Sequence, residues 1–183
     1  MINILNKASN WKFILPLLIL VIAFSVFVFP YYQSKLQSIH GSFQALDVRF
    51  AYTDEEVRAD FEALGAGGCE IYRTVVGRID MVYPIFYGSF LILLVANVIK
   101  KVAGPGSPRL LISLLPLAGV LFDYLENFNT LRLLRDFPDF SEGAVQWGEL
   151  MTRAKHITGM TSVGLIIVFA ILILIRRMRR GDR

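Results

Sequence analysis

One cysteine and two histidines are all the thiol and imidazole groups that 183 residues provide. The single thiol, Cys69, excludes an internal disulfide and any CxxC metal or redox motif. A bridge to a second chain is the only pairing left to it, which keeps a homo-oligomer open. No HExxH, GxSxG or glycine-rich phosphate loop occurs, so no motif names a metal, a cofactor or a catalytic nucleophile. Internal repeats and low-complexity tracts are missing too. Charge is scarce: 19% of residues against 55% apolar, too greasy for an ordinary soluble domain.

The excess sits in four apolar runs, about Phe13–Phe29, Met81–Ile99, Leu110–Phe128 and Ile157–Ile175. Each approaches the ~20 residues that a helix needs to cross a ~30 Å hydrocarbon core. The fold class expected is therefore an all-α integral membrane protein, a four-transmembrane-helix bundle forming one domain over 1–183. Its spans are placed at about 13–30, 81–101, 109–130 and 156–176. A net charge of +4 suggests nucleic acid only until the bases are placed. Lys7 and Lys12 precede the first span, and Lys100, Lys101 and Arg109 join the second to the third. Arg176, Arg177, Arg179, Arg180 and Arg183 follow the fourth, with Asp182 the one acid among them. Bases at span ends mark the cytoplasmic side, so both termini are expected inside, in a multi-pass protein of the plasma (inner) membrane. The basic tail then meets anionic headgroups at ~1 kcal/mol per charge near the surface, and no nucleic-acid partner is expected.

Residues 1–30 resemble a signal peptide in having Lys7 and Lys12 before an apolar stretch. That stretch is long, and Phe29-Pro30-Tyr31-Tyr32 offers no cleavage site, so a retained anchor is expected. Trp11 and the Tyr31-Tyr32 pair suit its two interfaces. Pro16 is placed in its first turn. Residues 31–80 form an outer, partly helical cap. Within it Gln33 to Gly41 is polar and unpatterned, and Asp47 to Tyr52 alternates like a short extended stretch. Thr53-Asp54-Glu55-Glu56 is a capping box opening a helix with Val57, Phe61 and Leu64 on one face, ending at Gly65. From Cys69 helical spacing continues into the second span, as one long helix kinked at Pro84. Gly104 to Pro108 is an inner turn. A second outer loop covers 131–155.

Within the third run lie Asp123, Glu126, Asn127 and Thr130, on one stripe by their i, i+3, i+4 and i+7 spacing. A charge at membrane depth costs roughly 2.5–3.5 kcal/mol, so such residues usually face protein or water. Counting 1.5 Å per residue puts Asp123 roughly 10 Å below the outer boundary, level with Tyr87, Ser25, Thr161 and Ser162. Asp80, Tyr83, Glu126, Asn127 and His156 come nearer the surface. Two readings fit. In one these groups pair across helices and hold the bundle in register, with Arg132, Arg135, Arg153 or Lys155 neutralising the acids. In the other Asp80, Tyr83, Tyr87, Asp123, Tyr124, Glu126, Asn127 and His156 line a site for a lipid or other amphiphile, or for a membrane partner. A polar or cationic end would then meet Asp123 and Glu126, and the tyrosines would offer their ring faces. The enzyme alternative is a lipid-modifying protein, a metal-dependent one if His156 acts with Asp80, Asp123 or Glu126.

Four helices, a long first outer loop and an acid followed by proline near the second span (Asp80, Pro84) resemble the emopamil-binding, sigma-2-receptor-like membrane proteins. The likeness is one of topology. This chain departs from them in having no acid in its first span, and no functional residue is carried over.

Overall fold

The computed structural model describes residues 1–181; Asp182 and Arg183, read above as part of the basic tail, lie outside them. The described residues are helical with no strand. Four helices are long and apolar enough to cross a membrane: Trp11–Ile39, Tyr83–Ala103, Pro108–Asp136 and Glu142–Arg179.

A short helix, α1 (Ile2–Ala8), was not expected from the sequence. Its free C-terminal carbonyls are taken by Lys100, whose Nζ donates to the Asn6 and Ser9 oxygens at 3.1 and 2.8 Å. Asn10 then caps α2 (Trp11–Ala23) by accepting from the Lys12 N–H at 2.9 Å. Because α2 starts at Trp11, Pro16 falls inside it and not in its first turn. Ahead of Pro30, which has no N–H to give, the helix widens into a π-turn over Phe24–Val28 and continues as α3 (Phe29–Ile39). Gln33 to Ile39 is thus helical, contrary to the sequence reading.

The capping box forms. Glu56 N–H donates to Thr53 Oγ1 at 3.3 Å, and Thr53 N–H donates to Glu56 Oε2 at 3.0 Å. It opens α4 (Asp54–Thr74), which bends at Gly65 (φ 61°, ψ −175°) and does not end there. Gly67 and Gly68 are helical. Val57, Phe61 and Leu64 are buried as expected, against Leu36, Phe43, Leu46, Leu133 and Phe140. Thr53→Ala is expected to cost about 1 kcal/mol and to speed amide exchange across Asp54–Leu64, sparing the four membrane-length helices; unchanged exchange there would show the cap to be idle. Asp47 to Tyr52 is not an extended stretch: a 3₁₀ turn over Leu46–Val48 leaves Val48 and Phe50 exposed and buries Leu46 and Tyr52. Leu46 is held by its N–H, which donates to the Tyr72 hydroxyl at 2.9 Å.

The long kinked helix expected from Cys69 into the second span is two helices. A π-turn over Val75–Ile79 leads to a break at Asp80–Val82, and α5 (Tyr83–Ala103) begins there with Pro84 in its first turn. The proline cannot donate to the Asp80 carbonyl, and the Ile85 N–H turns to Val82, so two carbonyls are freed. Gly104 and Gly106 take positive φ in the turn to a 3₁₀ segment, Pro108–Leu114, and then α6 (Leu115–Asp136). The outer loop placed at 131–155 shrinks to residues 137–141, because α7 (Glu142–Gly181) is one 40-residue helix. Polar residues 142–155 read as loop by hydropathy, yet one face of that stretch packs on α6 and α4. Two apolar cores result: one joins the α4 end of the bundle, the other joins α1, α5, α7 and the 3₁₀ segment at the opposite end. The polar residues lie between them.

Candidate functional site

The stripe on α6 turns inward as its spacing requires: Asp123, Glu126, Asn127 and Thr130 are all buried. Three of the eight predicted site residues act on the frame. Asn127 Nδ2 donates to the freed Asp80 carbonyl at 3.1 Å, and the Tyr124 hydroxyl donates to the freed Met81 carbonyl at 3.0 Å. The helix break before Pro84 is therefore satisfied from α6, as a buried carbonyl demands. Glu126 is fully buried and bonded to α7, where Thr152 Oγ1 donates to its Oε1 at 2.6 Å.

Lys155 joins the acids. Its Nζ lies 2.6 Å from Glu126 Oε2 and 3.3 Å from Asp123 Oδ1. The Tyr87 hydroxyl donates to Asp123 Oδ2 at 2.7 Å. One ammonium thus serves two carboxylates, and two hydroxyls share the remaining burden. From sequence Lys155 was only one of four bases able to neutralise the acids, and Thr152 was not noticed. Extending α7 back to Glu142 would have shown them, because Thr152, Lys155, Gly159 and Ser162 follow helical spacing on one face.

The other five predicted residues, Asp80, Tyr83, Tyr87, Asp123 and His156, line a cavity of about 880 Å³. That volume lies within the range of small-molecule sites. Both π-turns contribute to its wall, through Ser25 on one side and Val75 and Val76 on the other. Widened turns of this kind recur at functional sites. Leu91, Pro116 and Val163 make its deep end apolar, whereas Gln33, Gln37, Gln44 and Asp47 make the α4 end polar. Tyr83 is fixed by Ser25 (O···O 3.0 Å) and by the rings of Phe24 and Phe29, 5.6 and 5.0 Å away. His156 stacks beneath Phe50 at 6.3 Å. Neither α2 nor α3 makes more than a marginal contact with α7, and two α7 residues of the lining, Met160 and Val163, are exposed.

Asp80 differs from the other two buried acids. It is buried beside the cavity, yet its carboxylate has no hydrogen bond or ion pair among the described residues. Burial first, then the charges of Asp47 and Asp123, push it up to about 8, with Lys155 opposing. Among the described residues no three His, Cys, Asp or Glu side chains are placed to hold one metal ion. The metal-dependent, lipid-modifying reading finds no such ligand set among the described residues.

Fold and site together define an all-helical protein with four helices fit to cross a membrane and a cavity walled by acids and tyrosines. No family model, no curated protein and no solved structure matches the chain.

Proposed function

We propose that the chain is a multi-pass protein of the plasma (inner) membrane, with cytoplasmic termini and α4 in an extracytoplasmic cap, whose outer-half cavity binds a lipid or other amphiphile. The cavity carries this reading: it is apolar at depth, polar toward the cap, and lined in part by exposed residues of α7. An amphiphile needs that gradient, with its tail among helices and its head near the interface. The exposed apolar faces of α2 and α7 suit lipid, and the basic segments at the opposite end suit anionic headgroups.

Gly159 provides the test. It lines the cavity, and a Cβ built there meets no atom within 4 Å. Gly159→Phe should fill the cavity and leave the helices in place. Wild type purified in lipid nanodiscs is expected to retain an enriched amphiphile, read by mass spectrometry of the extract. The variant, equally monodisperse, should lose it. Equal content in both would sink the binding reading.

A further inference from the structure

We propose that the amphiphile held in this cavity carries a positive charge, an ammonium head, and that Asp80 is its counter-ion. The inference rests on the amphiphile-binding reading. Three carboxylates line the cavity, those of Asp47, Asp80 and Asp123, and Glu126 lies behind. Against them stand one ammonium, that of Lys155, already shared between Asp123 and Glu126, and the imidazole of His156, stacked on Phe50. The cation site expected at Asp123 and Glu126 is therefore filled by the protein's own ammonium.

Asp80 is left over. It is only 5% exposed and borders the cavity, and its carboxylate meets no donor among the described residues. A carboxylate set in so enclosed a wall, its oxygens still accessible but met by no protein donor, is poorly solvated, and a cation supplied from outside would make up the deficit. Its neighbours favour the same charge. Asp47 adds a second negative group on the cap side, and the rings of Tyr83 and Tyr87 share the wall. Aromatic faces attract ammonium ions. The position also follows from the chain: the break before Pro84 places Asp80 outside any helix, with its carbonyl held by Asn127. The backbone at Asp80 is tied while its side chain stays free for a ligand. An anionic head would meet the same carboxylates as repulsion.

The test uses the full chain in phosphatidylcholine nanodiscs, with empty nanodiscs as the partition reference. Three probes of equal chain length are compared: an alkyl trimethylammonium, an alkyl alcohol and a fatty acid. Wild type is expected to bind the trimethylammonium about tenfold tighter than the alcohol, the scale of one charge-assisted contact, and the fatty acid weakest. Asp80→Asn, close to isosteric, should erase the ammonium preference and keep alcohol binding. Equal binding of ammonium and alcohol by wild type, or a preference for the fatty acid, would overturn the charge assignment and leave amphiphile binding standing. Preference retained in Asp80→Asn would overturn the role of Asp80. If no probe binds above the empty discs, and Gly159→Phe equals wild type, the amphiphile reading itself falls. The comparison among probes on wild type decides the sign of the charge even if Asp80→Asn does not fold.

Discussion

Lys155→Met is expected to cost about 3–5 kcal/mol, the range for breaking a buried ion pair from one side. Methionine keeps the length and apolar stem of lysine but leaves Asp123 and Glu126 facing each other without a cation. Tyr87 and Thr152 still donate one hydroxyl hydrogen bond to each, which offsets part of the desolvation and none of the repulsion. Thermal unfolding of the purified protein in mild detergent should show the loss. Adding Asp123→Asn and Glu126→Gln to the same chain should recover most of it, because neutral amides no longer need the ammonium. A single variant as stable as wild type would mean that the carboxylates are already neutral or solvated, and the ion triad would lose its structural role.

Gly88→Ala should destabilise by about 1–3 kcal/mol through overpacking. A Cβ at Gly88 would strike Val120 Cγ2, across the contact between α5 and α6. Valine is stiff about χ1 and cannot easily swing its methyl aside. Small residues where helices cross are how such backbones approach closely without a hydrophobic drive between them. The same measurement on Gly88→Ala with Val120→Ala should return most of the lost stability, since the second change removes the methyl that is struck. If the double variant is no better than the single one, the clash lies elsewhere. The cavity wall would then be the part to examine, because Tyr87 sits one residue away.

Several features of the site were legible from the chain. Helical spacing placed Asp123, Glu126, Asn127 and Thr130 on one stripe, and all four are buried. Counting residues along each helix brought Tyr87 level with Asp123, and the two are hydrogen bonded. The partition among the eight candidates was not legible. Tyr124 and Asn127 bond to carbonyls that exist only because the helix breaks, and the break replaces the kink that Pro84 alone would suggest. Lys155 lay in a stretch whose polarity resembles a loop, and only its packing shows that stretch to be helix.

By itself the sequence determined the helical class, four long apolar helices, the capping box at Thr53 and the inward stripe on α6. Those are local properties, set by periodicity over one or a few turns and by the hydropathy of a run. Tertiary structure alone decided where the helices widen and break, which base serves which acid, and that a cavity forms among α3, α5, α6 and α7. Each depends on groups brought together from distant positions: Pro84 frees a carbonyl for Asn127, and Lys155 reaches across to Asp123. No window along the chain holds both members of such a pair, so their distance is set only when the helices pack.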